Sequence, residues 1–92
     1  MTPITFFHLT HCPYCAMARE AIEELTKEHP EYASVQIDAI NEEDPPADLA
    51  DFYDYYYVPT MYVGEQKIFE AHPGATYEEI KEEVARAFEA AR

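Results

Sequence analysis

Positive charge is scarce in this sequence: its 92 residues hold 6 Lys and Arg against 19 Asp and Glu, a formal net charge of −13. The six cations, Arg19, Lys27, Lys67, Lys81, Arg86 and Arg92, stand singly along the chain. Phosphate contacts need clustered cations, so nucleic acid is not expected as a partner, and anionic lipid surfaces are disfavoured for the same reason. Long apolar runs are missing too. None approaches the ~20 residues that cross a bilayer, and residues 1–9 lack the basic start and apolar stretch of a secretory signal. A cytoplasmic protein away from membranes is the expectation. Repeats, low-complexity tracts and linkers are likewise absent. Cysteine occurs only as Cys12 and Cys15, which cannot make a disulfide framework. A bond between them would close a tiny loop and add little stability. The pair is therefore read as chemical rather than structural. Against these absences, 48% hydrophobic and 14% aromatic residues mark a folding chain rather than an acidic tail. The length suits one core, so residues 1–92 are read as a single domain, monomeric by default.

Along the chain, Ile4 to Leu9 is a short apolar and aromatic run between Pro3 and the breaker cluster Thr10, His11, Cys12, Pro13. It reads as a buried strand. Pro13 suits the first turn of a helix, and Ala18, Ala21, Ile22 and Leu25 recur at helical spacing up to His29-Pro30. Ser34 to Ile40 alternates polar and apolar residues, predicting a second strand, parallel to the first through a crossover. An acidic loop over Asn41 to Pro46 is expected to lead into a helix over Ala47 to Tyr56, with Leu49, Phe52 and Tyr53 on one side. Met61 to Val63, a turn over Gly64 to Lys67, and Ile68 to Ala71 read as a hairpin. Thr76-Tyr77-Glu78-Glu79 has the form of a capping box before Ile80, Val84, Ala87 and Phe88. The expected class is α/β, in the order β-α-β-α-β-β-α, with a parallel half and a hairpin half sharing one mixed sheet.

The chemistry concentrates in Cys12-Pro13-Tyr14-Cys15, placed where a strand gives way to a helix. Unpaired N–H groups and the partial positive charge of a helix N-terminus favour a thiolate, drawing a cysteine from ~8.5 toward ~3.5 to 7.5. Cys12 at the helix mouth is the expected nucleophile, and Cys15, one turn further in, the thiol that breaks a mixed disulfide from behind. A structural metal site is the bland alternative. Tetrahedral zinc needs four ligands, however, and there is no second Cys-x-x-Cys. His8 and His11 would have to complete the set from a strand and from the turn before Pro13, so no metal site is expected. His11 is a candidate for tuning Cys12, since histidine titrates near neutral pH. The dense tyrosines Tyr53, Tyr55, Tyr56 and Tyr57 suit a recognition surface or a core.

The run from Phe6 through Cys12-Pro13-Tyr14-Cys15, followed some forty residues later by Val58-Pro59-Thr60, resembles a glutaredoxin of the dithiol type, within the thioredoxin superfamily. The resemblance spans nearly the whole chain. It implies a thioredoxin-like fold with a four-stranded mixed sheet and three helices, and a cis peptide before Pro59 that faces the cysteines. It also implies a substrate site formed by Pro13, Tyr14, Val58, Pro59, Gly74 and Thr76, in which the Val58 backbone pairs with the substrate backbone. The expected activity is thiol–disulfide exchange on protein disulfides or glutathione mixed disulfides, in cellular redox homeostasis and electron transport. Glutathione or a reductase would be the electron donor, with no tightly bound cofactor. Three positions depart from the family. Leu9 stands where a lysine usually meets a glutathione carboxylate, and in Pro73-Gly74-Ala75-Thr76-Tyr77 the Gly74 and Thr76 positions match the Gly-Gly and Thr-Asp pattern that holds its other end, whereas Pro73 and Tyr77 do not. A thioredoxin-like reductase that does not use glutathione stays open as an alternative, and so does a carrier of metal or an iron–sulfur cluster.

Overall fold

The computed structural model describes residues 2–41 and 57–92. Its elements are β1 (Ile4–His8), α1 (Pro13–Glu28), a 3-10 turn (Pro30–Ser34), β2 (Ile37–Asn41), β3 (Thr60–Val63), β4 (Gln66–Glu70) and α2 (Tyr77–Ala91). The four strands form one sheet in the order β2-β1-β3-β4. β1 runs parallel to β2, pairing Phe6 with Ala39, and antiparallel to β3, pairing Phe6 with Met61. The parallel half and the hairpin half thus share one mixed sheet, as expected, and they meet at β1. The helix expected over residues 47–56 falls outside the described residues, which hold α1 and α2.

Alternation along the strands sorts side chains between the two faces of the sheet. Ile4, Phe6 and Met61 turn to the helices and join Ala18, Ala21 and Leu25 of α1 and Ile80, Val84, Ala87 and Phe88 of α2 in one core. Phe7 and Tyr62 are buried on the other face, edge to face with centroids 6.2 Å apart. The helical spacing foreseen for both helices is the spacing that packs.

Two expectations need correction. The second strand begins at Ile37 rather than Ser34, because the chain after α1 first makes a tight turn. Pro30 supplies a pre-set φ at its start. Tyr32 N–H then donates to His29 O at 2.9 Å, Val35 N–H to Tyr32 O at 3.0 Å, and the Ser34 hydroxyl to Glu31 O at 3.0 Å. These local bonds keep Ser34 and Val35 off the ladder, and the turn delivers the Tyr32 ring flat onto Phe88, with centroids 4.6 Å apart. The hairpin turn is also shorter than Gly64 to Lys67. Val63 pairs with Gln66, so Gly64 and Glu65 alone close it, with Gly64 at φ +61°, where other residues are disfavoured. None of the described helices is long and apolar enough to cross a membrane.

Candidate active site

Strand β1 stops at His8 because the next N–H, that of Leu9, turns to the Cys15 sulfur at 3.4 Å. Three residues later Cys12 caps α1: its backbone is extended, Pro13 fills the first helical position, and its Sγ accepts the Cys15 N–H at 3.2 Å. Side-chain capping of this kind satisfies one of the helix's orphan donors. A sulfur does here what a hydroxyl or carboxylate commonly does. Cys12 is half-buried and Cys15 fully buried, both as free thiols.

The environment separates the two sulfurs. Burial first, then the thiol's hydrogen bond to Cys12 and the Cys12 charge, pushes Cys15 up to about 12, against the Leu9 N–H and the Arg19 charge, which pull it down. Cys15 therefore holds its proton at neutral pH. Arg19 is itself turned toward β1, its Nη1 3.4 Å from His8 Nδ1, and His8 stacks on Phe6 with centroids 5.1 Å apart.

Opposite the cysteines stands the start of β3. The Val58–Pro59 peptide is cis, Pro59 is fully buried, and the Cys12 thiol reaches the Val58 carbonyl at 3.8 Å. This segment is tied down from three directions. Ala71 N–H donates to Pro59 O at 2.9 Å, and the buried Thr60 hydroxyl donates to Tyr57 O. The third tie is Tyr57 N–H, which donates to the Glu70 carboxylate at 2.8 Å. Thr60 appeared in the sequence only as the end of the Val-Pro-Thr run. Nothing local pointed to Leu9 N–H or Glu70.

The third side is the loop before α2. Gly74, at φ +89°, gives its N–H to the Tyr14 hydroxyl at 2.9 Å, joining the mouth of α1 to this loop. Thr76 caps α2 by accepting Glu79 N–H at 3.2 Å. The expected reciprocal half of the capping box is replaced, since the Glu79 carboxylate sits 3.5 Å from His72 Nε2. Thus Cys12, Cys15, Tyr14, Val58, Pro59 and Gly74 share one end of the fold, while Pro13 and His11 are exposed beside it. No hydrogen bond joins His11 to Cys12. Of the tyrosine cluster, Tyr57 is 54% exposed, and Tyr53, Tyr55 and Tyr56 lie outside the described residues. Among the described residues no three His, Cys, Asp or Glu side chains are grouped to hold a metal ion.

The Glutaredoxin family model matches residues 4–68, from β1 into β4. The chain belongs to the glutaredoxin family. The match takes in both cysteines and the Val58–Pro59 segment, and it ends before Gly74 and Thr76. The four-stranded mixed sheet is consistent with the thioredoxin-like fold of that family, and the family supports a thiol–disulfide oxidoreductase type of function. No curated protein matches the chain.

Proposed function

We propose that this glutaredoxin is a dithiol thiol–disulfide oxidoreductase in which Cys12 attacks and Cys15 resolves. The observation that carries this reading is the inequality of the two sulfurs: Cys12 caps the helix at the surface, and Cys15 is buried with its thiol pushed up to about 12. Cys12, as thiolate, attacks one sulfur of a substrate disulfide; the substrate S–S bond breaks, and the leaving sulfur takes a proton. Cys12 is then joined to the substrate by a mixed disulfide. Cys15 loses its proton and attacks Cys12 Sγ, the mixed bond breaks, and the second substrate thiol departs. The substrate has gained two electrons, and the enzyme holds a Cys12–Cys15 disulfide for an external thiol donor to reduce.

Geometry supports the order. The Cys15 N–H already donates to Cys12 Sγ, a bond that strengthens as that sulfur takes on negative charge. The Val58 carbonyl beside the sulfur is placed to accept a backbone N–H from a substrate lying along this edge. Glutathione mixed disulfides and protein disulfides are both substrates of the required chemistry, and glutathione or a flavoprotein reductase would close the cycle.

The test is mass spectrometry of the reduced protein after brief exposure to bis(2-hydroxyethyl) disulfide. Wild type is expected to end as the internal disulfide, Cys15→Ser to stop at the mercaptoethanol adduct, and Cys12→Ser to form neither at a comparable rate. An adduct on Cys15 in the Cys12→Ser protein at the wild-type rate would overturn the assignment.

A further inference from the structure

We propose that Glu70 is a positioning residue for the exchange reaction: by holding the Tyr57 N–H it sets the Val58 carbonyl against Cys12 and an incoming substrate backbone. This rests on the dithiol reading above and adds to it a residue of β4. Glu70 ends β4, which lies at the edge of the described sheet. Charged side chains on edge strands commonly stand in water, where they keep other edges away. The Glu70 side chain is instead only 17% exposed, and a carboxylate so placed needs partners. Its two oxygens have different ones: Oε1 takes Lys67 Nζ and Oε2 takes the Tyr57 N–H, both at 2.8 Å. The ion pair orients the carboxylate, and its charge strengthens the bond to the amide.

What this bond controls follows from the backbone beside it. Thr60 and Glu70 are cross-strand partners, so their side chains leave the same face of the sheet. From there they take Tyr57 by both of its polar groups, Glu70 accepting the N–H and Thr60 donating to the carbonyl. Ala71, next to Glu70, donates its N–H to Pro59 O at 2.9 Å. Val58 is thereby pinned between anchored neighbours, with its carbonyl 3.8 Å from the Cys12 sulfur. Two consecutive residues, Glu70 and Ala71, thus fix the carbonyl that a substrate backbone would meet. A side-chain anchor can be removed by one substitution, and misplacing a group at a reacting centre by about 1 Å can cost ~10²-fold in rate.

The experiment compares wild type with Glu70→Gln, Glu70→Asp and Glu70→Ala. The first keeps an acceptor oxygen at full reach and loses the charge, the second keeps the charge but falls one methylene short, and the third loses both. Reduced protein reacts with a cystine peptide, which offers backbone N–H groups to Val58 O, and with 2,2′-dithiodipyridine, which has none. Dividing the peptide rate by the dithiodipyridine rate on the same sample cancels thiolate reactivity and folded fraction. The ratio is expected to stay within about twofold of wild type in Glu70→Gln and to fall about tenfold in Glu70→Asp and Glu70→Ala. Either of the last two decides the matter, so one that fails to fold leaves the test intact. An unchanged ratio in them would show that Glu70 serves the hairpin alone, and an equal loss in Glu70→Gln would show that charge rather than the bond to Tyr57 is what counts. Both results overturn the inference and leave the dithiol reading standing. A wild-type peptide rate matched by Cys12→Ser would overturn the dithiol reading itself, and the inference with it.

Discussion

The two sides of the cysteine end are built differently. On one, Cys12, Cys15, Leu9 and the Val58–Pro59 segment interlock through sulfur and backbone atoms: Leu9 N–H on Cys15, Cys15 N–H on Cys12, and Cys12 on Val58 O. On the other, the loop around Gly74 closes on itself and on Tyr14, and Thr76 serves the helix that follows. The first side holds the two sulfurs in place; the second engages the Gly74 and Ala75 N–H groups within the loop and on Tyr14. Chemistry common to a family needs the first arrangement, whereas the second is free to change with the substrate. Both sides ride on helices packed together: Lys81 of α2 bridges two glutamates of α1, and the Tyr77 hydroxyl donates to Glu24 at 2.7 Å. Those contacts hold the Glu24 carboxyl below its ordinary range, the Tyr77 bond contributing most.

Substitutions can break or sharpen this contrast. The largest effect is expected on the cysteine side, where Cys12→Ser should lower steady-state disulfide reduction by about 10³-fold or more. Activity within tenfold of wild type would show that the cap sulfur is not the nucleophile. Next comes the floor beneath both sides. Phe88 is fully buried and stacked on Tyr32, so Phe88→Ala should cost about 3–5 kcal/mol in denaturant unfolding, while the reactivity of Cys12 per folded molecule stays the same.

The buried thiol gives a pH test of the same contrast. Cys15 is raised from 9.0 to about 12 on folding, so between those values the unfolded chain releases a proton that the folded chain keeps. Stability is therefore full below pH 9 and falls as pH rises toward 12. Cys15→Ala should flatten that fall in urea titrations. A slope unchanged by the substitution would mean that Cys15 is not protonated by burial. On the loop side the effects shrink. Thr76→Ala removes the α2 cap and should cost about 1 kcal/mol of stability, with exchange on a neutral disulfide unaltered. Smallest of all, Tyr14→Phe should speed hydrogen exchange at the Gly74 amide and change turnover by about twofold or less. A tenfold loss would place Tyr14 in the chemistry rather than beside it.

Local signals carried far in this chain. Pro13 after a short apolar run, helical recurrence through Leu25, and Thr76 before the last helix are each short-range devices, and each forms as written. Where reading failed, a competing local device had won. Pro30 and the Ser34 hydroxyl build a 3-10 turn inside what alternation marked as strand, because a tight turn satisfies the Val35 N–H sooner than the sheet can. Of the site, Cys12 and Cys15 could be read from spacing and the Val58–Pro59 segment from family likeness. Leu9 acts through its backbone N–H, Glu70 across 13 residues of chain and Thr60 through its hydroxyl on the Tyr57 carbonyl, and no residue type announces those partners.

The sequence by itself determined the cysteine pair. Residues three apart at a helix start must bring the second N–H to the first side chain, since that geometry is fixed within one turn. Tertiary structure decided what the pair faces. Val58 O meets Cys12 across 46 residues of chain, and Gly74 N–H meets the Tyr14 hydroxyl across 60. Those meetings follow from how β3 pairs with β1 and how α2 packs on α1, and pairing at such separations leaves no trace in the periodicity of either segment.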